Sequence, residues 1–328
     1  MRSDNPTLAS IHRGGRLESI HRGSWVVTDP SGAIIEHAGD ATAAIYPRSA
    51  TKSLQALPLI ESGAADHFGF DERHLALACA SHSGEPVHIA VAADGLTKIG
   101  LGPSDLLCGP QTPFHSSPDA AAERIINNCS GKHVGFLAVA MHRGTTPSSY
   151  LDPDGEVQLM VRNAIADMAD VAFDDVGLGV DGCSAPTVHI PLIGLATGLA
   201  RLTNPEALAP DRAAACRRLT DAARRHPDLV AGTHERFCTD LLAATDGRVF
   251  GKIGAEGVYT FGVVGEGVGF AGKVDDGNAR ALYPLMIDLL RRRKLITETE
   301  VTALDRWATT VVRNWDGIDV GHIELHQL

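Results

Sequence analysis

Extended segments near both ends of the chain restrict its possible folds more than any other feature. Near the start, segments 24–29 and 33–37 flank a Pro-Ser-Gly turn, which is the pattern of a β-hairpin. Near the end, segments 258–264 and 268–274 flank Gly-Glu-Gly, a second hairpin. Because helical patterns fill most of the sequence between them, the simplest fold is one antiparallel sheet built from the two ends.

Helical patterns occupy the centre of the chain and follow the second hairpin. The central patterns predict helices at 50–62, 86–99, 131–142, 156–168, 191–202, 206–226 and 235–244. An apolar stripe from Ala279 to Leu290 predicts another helix. Thr297 and Glu300 form a capping box for a last one, so we expect a helical ending.

These elements predict an α+β fold with two domains. Residues 1–48 and 246–328 would form a domain that contains the sheet, and residues 49–245 a mainly helical domain. Clefts between domains are common sites for small molecules, so we expect the active site there.

Composition restricts the class of partner. The chain has 328 residues and a formal net charge of −11. That charge argues against nucleic acid and anionic membranes, because both favour basic surfaces. No apolar stretch approaches the length of a membrane span, and charges interrupt the first 25 residues. We therefore expect a cytoplasmic protein that acts on a small polar molecule.

The tetrad Ser49-Ala50-Thr51-Lys52 opens a helical pattern and has the form of an amine-activated serine. A serine hydroxyl needs a base to accept its proton during attack, and residues i and i+3 share a helix face. A second lysine, Lys252, lies on a predicted late strand, which could bring it to the same cleft. Taken alone, Ser-x-x-Lys also fits an ordinary solvated helix start.

Two of the six cysteines lie in polar, glycine-containing turns. Cys129 precedes Ser-Gly-Lys and Cys183 follows Asp-Gly, where a helix start would direct amides and thiols at a shared cavity. Cys79, Cys216 and Cys238 lie in more apolar contexts typical of core packing. Free thiols or a metal site are more consistent with this spacing than disulfides.

The order Ser-x-x-Lys, a lone serine and a late Lys-x-Gly resembles serine β-lactamases, penicillin-binding proteins and the glutaminases that share their fold. The chain has Ser-His-Ser where that group has Ser-Asp-Asn, and Lys-Ile-Gly where it has Lys-Thr-Gly. Both departures agree with the L-asparaginase II family. Four segments carry that resemblance: YPRSATKSLQ (46–55), ASHSGE (80–85), NCSGKH (128–133) and VDGCSAP (180–186).

The resemblance implies a serine β-lactamase/glutaminase-like fold and hydrolysis of L-asparagine to aspartate and ammonia through an acyl-enzyme. It implies two Ser-Lys pairs, Ser49 with Lys52 and Ser81 with Lys252. It further implies a homodimer and a zinc ion. The zinc ligands would be Cys129, Lys132 and Cys183, and we expect the ion to organise the substrate pocket more than to drive the chemistry.

Substrate recognition requires groups that bind both the α-carboxylate and the α-ammonium group of an amino acid. Arg48 could hold the α-carboxylate, although an ordinary structural ion pair suits its position equally well. Glu256, shortly after the Lys-Ile-Gly motif, could meet the α-ammonium group. His133 and Asp181 adjoin the proposed metal ligands, where they would orient neighbours, and we include His133 in the substrate pocket.

Three functions stay open at this point. The first is an asparagine amidohydrolase, and the second is a penicillin-recognising acyl-serine enzyme. The third is a non-enzymatic binding protein that holds zinc on the same scaffold. Ammonia release from asparagine would separate the first from the others.

Overall fold

The computed structural model describes residues 5–117 and 119–326. Its strands are β1 Thr7–Arg13, β2 Arg16–Thr28, β3 Ile34–Ala38, β4 Ala44–Ile45, β5 Gly177–Val180, β6 Pro186–Pro191, β7 Val249–Ile253, β8 Val258–Val263, β9 Val268–Val274, β10 Val311–Arg313 and β11 Asp319–Leu325.

A large antiparallel sheet joins the two ends of the chain. Its strand order is β10-β11-β1-β2-β9-β8-β7, and β3 pairs with β2 outside this path. The long strand β2 makes the connection, because its first part pairs with β1 and its last part, Gly23 to Thr28, pairs with β9. A small sheet has the order β4-β6-β5. The predicted α+β fold with one antiparallel sheet from both ends is confirmed.

The helices are α1 Lys52–Gln55, α2 Leu57–Glu61, α3 Ala64–His67, α4 Glu72–Ala78, α5 Pro86–Lys98, α6 Ser130–Arg143, α7 Glu156–Ala169, α8 Leu192–Thr203, α9 Pro210–Arg225, α10 Pro227–Val230, α11 Phe237–Ala244, α12 Leu282–Arg292, α13 Glu298–Ala303 and α14 Asp305–Ala308. Within the described residues, no helix is long and apolar enough to cross a membrane.

The helix predicted at 50–62 is broken into three pieces. A 3-10 turn, Arg48–Thr51, leads into α1, and α2 starts after Ala56. Pro58 explains the second break, because it has no N–H with which to continue the hydrogen bonds of α1. The serine of the tetrad therefore lies on the 3-10 turn, ahead of the α-helix.

The prediction of a helical ending is wrong. The capping box itself is present, since Thr297 N donates to Glu300 Oε2 (2.6 Å) and Glu300 N donates to Thr297 Oγ1 (3.3 Å). After α14, however, the chain returns to the large sheet as β10 and β11. Strand β11 pairs with β1, which places Ile323 opposite Ile11. This pairing of distant segments decides the local structure.

A close approach of two backbone segments brings the late strand to the tetrad. Gly254 follows β7, and a Cβ at this position would lie 2.3 Å from the carbonyl oxygen of Pro47. Only glycine permits that contact. The third residue of Lys-Ile-Gly thus lets Lys252 approach the turn that carries Ser49.

Candidate active site

Ser81 lies between two lysine side chains. Lys52 Nζ is 3.1 Å from Ser81 Oγ, and Lys252 Nζ is 2.8 Å from the same oxygen. Lys52 also donates to the carbonyl oxygens of Ala80 (2.6 Å) and Asn128 (3.3 Å). The three side chains form a continuous hydrogen-bonded path from α1 through Ser81 to β7.

This path is shielded from solvent. Lys52, Ser81 and Lys252 are 1%, 5% and 0% exposed. Burial, with the charges of Lys52 and Arg236, lowers the pKa of Lys252 from 10.5 to about 7, although Cys238 opposes the shift. A large fraction of Lys252 is therefore neutral at pH 7 and can accept a proton.

Ser49 lies one turn ahead of Lys52 and is half-buried. The backbone N–H of Lys52 donates to the carbonyl oxygen of Ser49, so the two residues share one face of the turn. Among the described residues, the side chain of Lys52 donates to Ser81 and not to Ser49. The structure thus brings Lys52, Ser81 and Lys252 into direct contact, and Ser49 lies three residues ahead of Lys52 on the adjoining 3-10 turn.

A cavity of about 450 Å³ opens next to this turn. Arg48 and Glu256, the two residues predicted to bind the substrate charges, both line it, together with Tyr46, His189 and Lys273. Arg48 donates from Nε to Asp181 Oδ1 at 2.8 Å, and its Nη2 lies 2.6 Å from the same oxygen. The cavity wall therefore contains an anchored cation and an exposed carboxylate.

Three residues at the predicted site have strained backbone. Arg48, Ser184 and Glu256 have φ values of 54°, 69° and 58°, in the left-handed region that residues other than glycine seldom adopt. Such conformations cost about 1–3 kcal/mol each. Arg48 and Glu256 are predicted substrate-binding residues, and Ser184 follows Cys183.

The predicted zinc ligands also lie together. Cys129 and Cys183 are buried, Lys132 Nζ donates to Cys183 Sγ at 3.3 Å, and Cys129 Sγ lies 3.1 Å from Asn128 Oδ1. Gly131 allows this arrangement, since a Cβ there would lie 2.3 Å from the carbonyl oxygen of Leu77 on α4. The start of α6 is thereby held against α4 with Cys129 facing the lysines.

Cys129, Cys183 and Lys132 shift one another's pKa values. The hydrogen bond from the Cys183 thiol holds the pKa of Cys129 well below its usual range, and Lys52 and Lys132 act in the same direction. The same bond, together with burial, raises the pKa of Cys183. Burial acts to lower the pKa of Lys132, but the sulfur charges outweigh it and raise that pKa. The pKa values of the two thiols are thus shifted in opposite directions next to a protonated Lys132.

Asp181 connects this cluster to the cavity. Burial acts to raise the pKa of its carboxyl, but the hydrogen bond from Arg48 and the charge of Lys132 outweigh it and lower the pKa. Asp181 is therefore an anion between Arg48 at the cavity and Lys132 at the thiols. A change at the thiols can reach Arg48 through this one carboxylate.

His133 is buried behind these groups, away from the cavity wall. Its Nδ1 lies 2.6 Å from the hydroxyl of Tyr150, which accepts a hydrogen bond from Leu107 N at 2.7 Å. Tyr150 thus links His133 to the backbone of Leu107. Nε2 has no hydrogen-bond partner within the described chain. Burial lowers the pKa of His133 well below its usual value, so the ring is neutral.

The sequence profile of the L-asparaginase II family matches residues 9–325. The chain belongs to the L-asparaginase II family. As a family member it is an asparaginase-type amidohydrolase with a small-molecule amide substrate. No curated protein matches the chain.

Two solved structures are similar to this L-asparaginase II family member at low sequence identity. A β-lactamase (Mb2281c) from Mycobacterium bovis is 14% identical with a TM-score of 0.43, and the match covers 87% of this chain and 95% of the β-lactamase. Mglu, in its native form in the presence of 4.3 M NaCl, is 16% identical with a TM-score of 0.44, and the match covers 84% of this chain and 61% of Mglu.

Sequence reasoning missed several residues that surround the site of this family member. The carbonyl oxygens of Ala80 and Asn128 hold Lys52, and backbone atoms have no sequence signature. Lys273 and His189 reach the cavity from strands whose neighbours are set by sheet pairing. Arg236 contacts the Ser81 segment from the loop before α11, where no motif indicates it.

Proposed function

We propose that the protein hydrolyses L-asparagine to L-aspartate and ammonia through an acyl-enzyme on Ser49. The observation that carries this proposal is the path of hydrogen bonds Lys52–Ser81–Lys252, which begins at the residue whose backbone N–H donates to the carbonyl oxygen of Ser49. A buried amine with a pKa of about 7 ends the path, which is the property that a base needs near neutral pH.

In the first half of the reaction, the Ser49 hydroxyl gives its proton to the hydrogen-bonded path of Lys52, Ser81 and Lys252. The neutral amine of Lys252 at the end of this path is the final acceptor. The Ser49 oxygen attacks the side-chain amide carbon of asparagine. The C–N bond then breaks, and the same proton leaves with the nitrogen as ammonia. In the second half, water attacks the ester, gives a proton to the amine, and Ser49 recovers its hydrogen as aspartate departs. The amine is neutral again at the end, so the cycle balances.

Ser49 suits the role of nucleophile better than Ser81. Ser49 is half-buried and follows Arg48, which lines the cavity, so a substrate there can reach it. Ser81 is 5% exposed and its hydroxyl is engaged by two amines. We therefore assign Ser81 the transfer of protons between Lys52 and Lys252.

The cavity suits a free amino acid amide. Its volume of about 450 Å³ falls within the range of small-molecule sites. Arg48 gives Nε and Nη2 to Asp181, so we propose Nη1 as its donor to the substrate α-carboxylate. The exposed carboxylate of Glu256, on the same wall, would meet the α-ammonium group. The unpartnered Nε2 of His133 is a further polar atom that a deeply bound substrate would meet.

We also propose a zinc ion held by Cys129, Cys183 and Lys132. The donor set fits the metal, because two buried sulfurs in mutual contact and a nearby amine are ligands that zinc accepts. Lys132 must lose its proton on binding, so metal uptake would release protons. Within residues 5–117 and 119–326, no group of three or more His, Cys, Asp or Glu side chains is placed to hold a metal. Bound zinc would fix the loop around Asp181 against α6, and through Asp181 the position of Arg48.

A homodimer and a cytoplasmic location complete the proposal. Both rest on the resemblance to the family and on the composition. Light scattering of the purified protein and fractionation of cells test them.

Ammonia release tests the proposed function. The wild-type protein should release ammonia from asparagine. The rate of release from glutamine, compared with that from asparagine, measures the selectivity. Ser49→Ala should abolish release. Ser149→Ala is the matched control, because Ser149 lies on a separate 3-10 turn, where its hydroxyl donates to the carbonyl oxygen of Thr146, and its loss should leave the rate unchanged. Full activity of Ser49→Ala would contradict the assignment.

A further inference from the structure

Arg236 holds the segment that contains Ser81. Its Nη2 donates to the carbonyl oxygen of Ser81 at 2.6 Å. Its Nη1 donates to Ser83 Oγ at 2.6 Å and to the carbonyl oxygen of Ala231 at 2.9 Å. The guanidinium also lies 5.3 Å from the ring centre of Phe114. These contacts tie three separate segments together at one side chain.

Arg236 makes no ion pair within the described part of the chain, although it is largely removed from water. Glu85 acts on it only at longer range, and burial lowers its pKa. A partly desolvated cation without a paired carboxylate depends on its hydrogen bonds, and those of Arg236 all go to carbonyl and hydroxyl oxygens. Its positive charge is therefore not neutralised by a neighbouring carboxylate.

The charge lies next to the lysine path. Ser81 links the two, because its carbonyl oxygen meets Arg236 while its hydroxyl meets Lys52 and Lys252. The ionisable groups that act on Lys252 come from several elements: Cys238 on α11, Lys52 on α1, Cys129 before α6, Cys79 after α4, and Arg236. Among them, the guanidinium alone keeps its positive charge at every working pH.

We propose that Arg236 is a positioning residue of the amide-hydrolysis site, which fixes Ser81 through its carbonyl oxygen and opposes protonation of Lys252 with a permanent positive charge. The proposal rests on the function proposed above. It assigns two separable effects to one side chain: hydrogen bonds that set geometry, and a charge that sets the protonation of the base.

Two substitutions separate these effects. Arg236→Gln removes the charge, so Lys252 should hold its proton to higher pH. The acid limb of the kcat/KM profile should move upward by about one pH unit, as expected for a unit charge several ångströms away at an effective dielectric near 20. Arg236→Lys keeps the charge but cannot span Ser81 and Ser83. Its acid limb should stay in place while kcat falls at least about tenfold.

Arg162→Gln is the matched control. Arg162 also donates to two carbonyl oxygens, those of Phe173 and Val176, and its guanidinium lies 4.1 Å from the ring centre of Phe173. It is absent from the groups that act on Lys252. Its substitution should change stability at most and leave the acid limb where it is.

A second measurement does not depend on turnover. NMR titration of the lysine side chains, with Lys252 assigned by its loss in Lys252→Met, should show the same upward shift in Arg236→Gln. If the wild type releases no ammonia, the proposed function fails while this titration still tests the charge of Arg236. If Arg236→Gln leaves both the acid limb of the kcat/KM profile and the NMR titration of Lys252 unchanged, the proposal is overturned. If that variant does not fold, Arg236→Lys decides, since a kcat equal to wild type would overturn it.

Discussion

Lys252→Met should make the protein more stable at pH 7 and at the same time inactivate it. Lys252 is fully buried, and its pKa falls from 10.5 to about 7 in the folded protein. The folded state therefore opposes the protonated form that the unfolded chain prefers. Methionine fills a similar volume without an amine, so it does not carry this cost.

The structure gives the size of the effect. A depression of about 3.5 pKa units corresponds to roughly 5 kcal/mol against folding at pH 7 and below. The variant also loses the 2.8 Å hydrogen bond to Ser81, which is worth about 1.5–3 kcal/mol. Ser81 keeps its bond from Lys52, so its hydroxyl is not left unpaired. The burial cost that is removed exceeds the hydrogen bond that is lost, so the free energy of unfolding of Lys252→Met should exceed that of wild type by roughly 2–3 kcal/mol.

The pH dependence has a definite sign. Between pH 7 and 10.5 the unfolded wild-type chain binds more protons than the folded one, so wild-type stability rises with pH in this window. The advantage of Lys252→Met should therefore shrink as pH rises, vanish between about pH 8 and 9.5, where the burial cost equals the lost hydrogen bond, and reverse at higher pH. Activity should fall by about 10²–10⁴-fold, which is typical of losing a general acid or base.

Urea unfolding at pH 7 and pH 9.5, together with ammonia release, measures both effects. Lys98→Met is the control, because Lys98 is partly exposed and only 3.9 Å from Asp94 in a surface pair. It should change stability by no more than about 1 kcal/mol. A Lys252→Met variant that is less stable than wild type at pH 7, or equally shifted at both pH values, would refute the reasoning.

Three further predictions concern the other parts of the site. Cys129→Ser should lower zinc content, measured by elemental analysis, and raise KM for asparagine while turnover at saturation persists; a collapse of kcat would instead indicate metal-driven chemistry. Asp181→Asn should raise KM about tenfold with little effect on kcat, because Arg48 loses its anchor; saturation kinetics with an unchanged KM would argue against this role. Ser81→Ala should lower kcat at least about 100-fold with a nearly normal KM, and single-turnover rates near wild type would exclude proton transfer through Ser81.

The sequence predicted the sheet where turns are local and failed where pairing is distant. Two hairpins with short glycine-containing turns carry their own signals, so strands β2, β3, β8 and β9 could be found. Strands β1 and β11 form because Ile11 and Ile323 meet across almost the whole chain. No local pattern encodes that pairing.

In the candidate active site, too, local motifs could be found in the sequence, whereas contacts between distant segments could not. Motifs identified the groups that carry chemistry, and the structure brings Lys52 and Lys252 to one oxygen of Ser81. The sequence did not indicate that Lys52 donates to Ser81, because the carbonyl oxygens that hold it come from Ala80 and Asn128. Orientation of a buried amine depends on such backbone acceptors.

In the proposed mechanism Ser49 carries an acyl group during hydrolysis of asparagine. Rapid acid quenching of the enzyme during turnover, followed by peptide mass spectrometry, detects this acyl group. We expect one aspartyl group, in ester linkage, on the peptide that contains Ser49 and none on the peptide that contains Ser81. An aspartyl ester on Ser81, or steady turnover with neither serine modified in a quench fast enough to precede deacylation, would contradict it.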